Sequence, residues 1–257
     1  MLTSVMLIYI AAAIVPAIAL LIYVYKQDKV EQEPPQLIGK LILYGVFAAL
    51  AAIVLEIAGE AILNQYVNLG RVMKDTDRYY FILAFLIVAV AEEGTKAFFT
   101  YRGSWNDPNF DYHFDGIVYA VSVSLGFAAF ENVKYVMSYG LSVALPRAFL
   151  AIPGHMSFAV LFGVFYARAK YYNNLYKATN DTKFKRMQHL EIAIGYILAV
   201  LIHGAYDSCA MIGTQTATLI YVGVVIVMYI ICFVLVRRES RGDYSLSPTY
   251  PEAKSGQ

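Results

Sequence analysis

The chain has 257 residues, 59% of them hydrophobic and 15% charged, against about 45–50% and about 25% in an ordinary soluble domain, so a soluble globular enzyme is excluded. Twenty basic residues against 19 acidic ones leave a net charge of +1. No basic run is interleaved with aromatics as a nucleic-acid groove needs, which excludes nucleic acid as a partner.

A hydrocarbon core about 30 Å thick requires roughly 20 apolar residues at 1.5 Å rise. Seven stretches approach that length: 2–25, 37–63, 79–101, 114–137, 147–169, 189–212 and 217–236. They predict an all-α fold, a polytopic membrane helix bundle of about seven transmembrane helices. Residues 1–236 form one integral membrane domain, and 237–257, polar and proline-containing, form a disordered tail. The first stretch has no Lys or Arg before it and outruns a signal peptide's apolar region, so it reads as a retained helix. Glu33-Pro34-Pro35 closes the first connector, since proline suits the approach to a helix and not its interior. Residues 170–188 are expected as the longest connector, an interfacial helix or orientation determinant. A short gap near Gly213 makes the last two spans a tight hairpin. Cys209 and Cys232 lie in apolar stretches and act as small hydrophobes, with no disulfide framework.

Basic residues set the orientation. With the N-terminus outside, thirteen Lys and Arg fall on the inner face and only Arg71, Lys74, Arg78 and Arg147 on the outer. The chain is expected to be a multi-pass protein of the cell membrane, with an external N-terminus and a cytoplasmic C-terminus.

Charged side chains at bilayer depth cost about 2.5–3.5 kcal/mol each on insertion scales, so several together call for a function or a compensating structure. Glu56 and Glu60 in the second span lack a counter-ion in their own helix and are left outside the site. In the third span, Glu92 and Glu93 stand i,i+4 and i,i+3 to Lys96. One carboxylate held by Lys96 can orient partners while the other, desolvated, accepts a proton from water. Glu131 in the fourth span has Lys134 and Tyr135 as local partners and a supporting role. His155 follows Pro153-Gly154, which is expected to loosen the helix there and admit water. His203 and Asp207 are i,i+4, so the acid can fix the imidazole's tautomer and orientation. Counted from the ends of their spans, Glu92 and Glu93 come out deeper than the histidines, which requires the third span to tilt or to begin within the interface.

Glu-Glu-x-x-Lys at 92–96, Phe-Glu-x-x-x-Tyr at 130–135, Pro-Gly-His at 153–155 and His-x-x-x-Asp at 203–207 occur in the order seen in PrsW-type intramembrane proteases, which the chain resembles over roughly 79–212. More distantly it is similar to CAAX prenyl endopeptidases and bacteriocin-immunity-type membrane proteases. The resemblance implies a multi-helix fold with a glutamate-centred site and a membrane-anchored protein substrate, an anti-sigma factor cut on its extracytoplasmic side.

The reading is an intramembrane endopeptidase. Glu92 or Glu93 serves as general base, His155 and His203 polarise the carbonyl or donate to the oxyanion, and Asp207 orients His203. Lys96, Glu131 and Tyr135 support them. No cofactor is favoured, although His155, His203 and a carboxylate make zinc possible. A proton-coupled transporter or channel is the alternative, against which no inverted repeat is found. A non-catalytic membrane scaffold is a third reading.

Overall fold

The computed structural model describes residues 2–247, with side chains from Met6 onward. Seven long helices follow one another: α1 (Leu2–Gln27), α2 (Pro35–Asn68), α3, α4 (Asp115–Tyr139), α5 (Ala151–Thr179), α6 (Thr182–Ile212) and α7 (Gln215–Arg241). Three continuous segments make up α3: an α-helical turn at Asp77–Ile82, a π-helix at Leu83–Ala89, and an α-helix at Val90–Ser104. All seven expected spans correspond to these helices. Six of the described helical stretches are long and apolar enough to cross a membrane; α3 carries the Glu92, Glu93 and Lys96 charges instead.

Proline starts α2, with Pro34 at the cap and Pro35 at the first helical position, where no amide is needed. Gly213, at φ 64°, ends α6, and the Thr214 hydroxyl accepts from the Ala217 amide to open α7, which makes the expected hairpin. The expected connector over 170–188 does not exist as a separate element. Its residues prolong α5 to Thr179 and α6 back to Thr182, with Asn180 in the left-handed region at φ 55° between them. Nor is 237–247 disordered: α7 runs to Arg241, and Leu246 is fully buried, its amide bonded to the Asp111 carbonyl at 2.6 Å. Residues 248–257 of the expected tail lie outside the described residues.

Central to the bundle is α4, buried without interruption from its start to Ala128. It packs against α1, α2 and α5, and Asn132 donates to the Ala13 carbonyl of α1 at 2.8 Å. The outward faces of α1, α2 and α7 expose Leu7, Val15, Leu43, Val54, Ile226 and Ile230, as lipid contact requires. A Cβ on Gly45 would strike the Val123 carbonyl, and one on Gly126 the Ile42 carbonyl. These backbones therefore touch, and neither side can yield by turning a side chain. Gly126→Val is expected to lower the melting temperature sharply, in keeping with overpacking costs of about 1–3 kcal/mol or more. Gly223→Val, at a position with no atom within 4 Å, is expected to leave it unchanged; detergent-solubilised protein followed by circular dichroism checks both.

The π segment is wider than an α-helix because its hydrogen bonds reach to the fifth residue. Two glycines on flanking helices make room for it. A Cβ on Gly59 of α2 would lie 2.6 Å from Ile87, and one on Gly204 of α6 would collide with the Phe85 ring. Val90 onward thus enters the bundle between α2 and α6.

Candidate active site

Lys96 is the centre of a buried cluster drawn from α3, α4, α5 and α6. Its ammonium donates to Glu92 Oε2 at 2.9 Å and to Glu93 Oε1 at 2.9 Å, one turn back on the same helix. A third contact, 3.0 Å, goes to His155 Nδ1. An ammonium has three donors and no acceptor, so all its protons are used and His155 Nδ1 must accept. The proton of that ring is thereby assigned to Nε2, which donates to Glu131 Oε2 at 3.1 Å. Beneath the ammonium lies the Phe127 face, 4.1 Å to the ring centroid, a cation–π contact.

His203 has a carboxylate at each nitrogen: Glu93 Oε1 2.8 Å from Nδ1 and Asp207 Oδ2 3.2 Å from Nε2. Phe158 stacks on the ring at 4.6 Å and 15°, so hydrogen bonds fix its edges and packing fixes its plane. His155 and His203 stand 5.8 Å apart between ring centroids.

A cavity of about 440 Å³ opens against this cluster. Glu92, Glu131, His155, His203, Asp207 and Tyr135 line it, whereas Glu93 and Lys96 lie behind, toward the interior. Every residue singled out in the sequence is therefore at or directly behind one cavity. The Lys96–His155 and Glu93–His203 contacts put the glutamates and the histidines at one level, so the depth offset expected from residue counting is absorbed within α3.

Three details differ from the sequence reading. Glu131 pairs with Arg147 at 2.7 Å and with His155, not with Lys134 or Tyr135. Tyr135 instead lies under the Arg147 guanidinium, 3.8 Å to its ring centroid. Pro153 sits in the first turn of α5, where a missing amide costs nothing, so the helix around His155 is intact rather than loosened. Glu56 and Glu60 line the cavity although they were left outside the site.

Arg147 is the residue that sequence reasoning missed, having been counted as a loop charge. It also donates to Asn132 Oδ1 at 2.8 Å, and its position beside Pro146 in an apolar stretch was the available signal. Arg147→Leu is expected to destabilise the protein by about 1–3 kcal/mol, because Glu131 loses its charge-assisted partner. Adding Glu131→Gln should recover part of that loss, and a double-mutant cycle of melting temperatures measures the coupling.

The donors present fit a metal in chemical type. Glu92, Glu93 and His155 each offer one atom within 4.8 Å of the others, and Glu92 Oε2 is 3.9 Å from His155 Nδ1 and 4.0 Å from His203 Nε2. Carboxylate oxygen and imidazole nitrogen are zinc-type donors. The Lys96 ammonium touches the same three side chains, so a metal held by Glu92, Glu93 and His155 and the ammonium are alternative occupants.

Residues 33–236 match the PrsW-protease family, described as PrsW family intramembrane metalloprotease. Among curated proteins, the chain is 32% identical over 233 residues to the protein named Protease PrsW of Oceanobacillus iheyensis, covering 91% of this chain and 96% of that one. A protein of the same name from Geobacillus kaustophilus is 32% identical over 200 residues, 77% of each chain. That of Bacillus subtilis is 30% identical over 198 residues, 77% of this chain and 80% of the other. No solved structure matches the chain.

Proposed function

The chain belongs to the PrsW family of intramembrane metalloproteases and is a membrane-embedded peptidase, and from that premise we propose that Glu92 is the general base that activates water against a peptide bond entering the cavity. The observation that carries this reading is the division between the paired glutamates. Glu93 is held by Lys96 and His203 on the interior side, while Glu92 faces the cavity between the two histidines.

In this mechanism Glu92 takes a proton from water as the water oxygen bonds to the scissile carbonyl carbon. His203 Nε2–H, at a loose 3.2 Å from Asp207, shares its proton with the developing oxyanion, and His155 Nε2–H, bonded to Glu131 at 3.1 Å, is the second donor at the cavity. Lys96 keeps both glutamates from repelling one another. Glu92 then returns its proton to the departing amine nitrogen as the C–N bond breaks. Glu92, Glu93 and His155 would hold a zinc-class ion with Lys96 turned away, and such an ion when bound would supply Lewis-acid polarisation.

The substrate is a membrane-anchored protein with a single span, of the anti-sigma-factor type that the family resemblance implies. His203 lies about 14 Å from the end of α6 at Ile212, and Glu131 about 12 Å from the end of α4 at Tyr139. Both helices end on the side assigned as external, the face to which the sequence allots only Arg71, Lys74, Arg78 and Arg147 as basic residues. The scissile bond is cut near that outer surface.

Reconstitution with a single-span substrate, comparing wild type with Glu92→Gln in the presence and absence of chelator, tests the activity and its metal dependence. Product termini read by mass spectrometry are expected on the extracytoplasmic side of the substrate's span. Asn180→Cys, in a chain whose Cys209 and Cys232 are replaced by Ser, is expected to react with an impermeant thiol reagent only after cells are permeabilised. Labelling of intact cells would reverse the orientation, and cleavage by Glu92→Gln at the wild-type rate would remove the base.

A further inference from the structure

At the end of the bundle away from the cavity, three buried carboxylates meet. Asp28 and Glu33 come from the connector between α1 and α2, and Asp115 from the first turn of α4, with one oxygen of each within 4.8 Å of the others. Their residues are only 1–2% exposed. Along α4 the cluster is about 24 Å from Glu131, so it is separate from the peptidase site.

Nothing among the described residues neutralises it. No Lys, Arg or His forms an ion pair with any of the three. Asp115 Oδ2 accepts from the amides of Asp111 and Tyr112 at 3.1 and 2.7 Å, which leaves its other oxygen for the cluster. Neither oxygen of Asp28 has a hydrogen-bond partner, and Glu33 Oε2 has none; the Tyr119 hydroxyl and the Asp115 carboxyl face Glu33, but that hydroxyl donates to the Asn109 carbonyl at 3.0 Å. The Glu33 amide faces the Asp28 carboxylate but outside hydrogen-bond geometry. Asp243, just past α7, adds a further charge near Asp28, and its Oδ2 is likewise buried and unpartnered. The nearby basic side chains are engaged elsewhere: Lys170 donates to the Trp105 carbonyl at 2.6 Å, and His113 Nε2 stands 3.3 Å from Glu239.

A buried carboxylate without a counter-charge is costly to ionise, the more so at Asp28, which has no donor either. A cation removes that cost. The donors are oxygen alone, without thiolate or imidazole, which suits hard ions and not zinc or copper. Three oxygens bound to one ion at about 2.3 Å cannot all be more than about 4 Å apart, so from separations within 4.8 Å the cluster closes by up to about 1 Å to coordinate.

We propose that Asp28, Glu33 and Asp115 form a binding site for a hard divalent cation of the Mg²⁺, Mn²⁺ or Ca²⁺ class, which clamps the α1–α2 connector onto the start of α4. The site does not depend on the peptidase assignment.

The test uses the full chain in detergent, stripped with chelator and returned to Mg²⁺, Mn²⁺ or Ca²⁺ singly at millimolar concentration. The melting temperature is expected to rise by several degrees with the preferred ion, and the rise should persist in Glu92→Gln, which separates this site from the one at the cavity. Mn²⁺ binding read from loss of the free-ion paramagnetic resonance signal gives a second measurement on wild type alone. Asp28→Asn and Glu33→Gln, made separately so that one folded variant suffices, should abolish the rise and melt no lower than the stripped wild type, because each removes a buried charge. A wild type indifferent to all three ions but stabilised as pH falls through neutrality would mean that protons hold the cluster, and the proposal would fall. An undiminished cation response in both variants would overturn it equally.

Discussion

Glu92→Gln is expected to lower cleavage of a reconstituted single-span substrate by about 10²–10⁴-fold, the usual contribution of a positioned general base. The amide keeps the shape of the carboxylate, and its oxygen can still accept from Lys96 at the 2.9 Å contact. Melting temperature should therefore stay close to wild type, so the loss is of chemistry and not of fold. Glu93→Gln is also expected to lose activity, but through His203, whose Nδ1 partner at 2.8 Å is weakened. The two differ in how they respond to pH. Removing the base abolishes the acid limb of the rate profile, whereas loosening His203 shifts the profile and leaves its shape. If Glu93→Gln proves the more damaging and removes the acid limb instead, the two glutamates exchange roles.

Lys96→Met is expected to be the most destabilising single change in the site, by about 3–5 kcal/mol, the range for breaking a buried ion pair from one side. The thioether fills much of the same space beside Phe127. It leaves Glu92 and Glu93 facing one another without a cation, and His155 Nδ1 without a donor. Activity should vanish with it. Lys96→Arg should not restore function, since a planar fork cannot serve three converging acceptors as an ammonium does. Adding Glu93→Gln to Lys96→Met should recover part of the stability, because one of the stranded charges is then gone. Thermal melting of the four proteins in that cycle gives the coupling directly.

Much of this was legible in the sequence because membrane helices declare themselves by length and composition. Glu92, Glu93 and Lys96 could be paired from their spacing alone, and so could His203 with Asp207, since one helix fixes both geometries. Contacts between helices were not legible in that way. That Lys96 also holds His155, that Glu93 reaches His203, and that Glu131 meets Arg147 instead of Lys134 depend on how α3, α4, α5 and α6 are set against one another. Arg147 was overlooked because a basic residue near a span end normally reports topology. The docked segment through Leu246 was hidden for a different reason. A short polar stretch carries no periodic signal, and its order comes from backbone pairing with Asp111 and His113.

The π-helical stretch of α3 governs how the chain can gain or lose residues over time. Its wide turn stores a surplus residue that an ordinary helix would have to pass along its whole length. Deleting one residue between Val90 and Glu92 would swing Glu92 and Glu93 by about 100° away from His155 and His203. Deleting one within Leu83–Ala89 would instead let the wide turn tighten, with both flanks still facing as before. Gly59 and Gly204, which accommodate Ile87 and Phe85, would then have space for larger side chains. Length changes in this helix, and the release of those two glycines, are thus bound to one another, while the face that carries Glu92 and Glu93 keeps its phase.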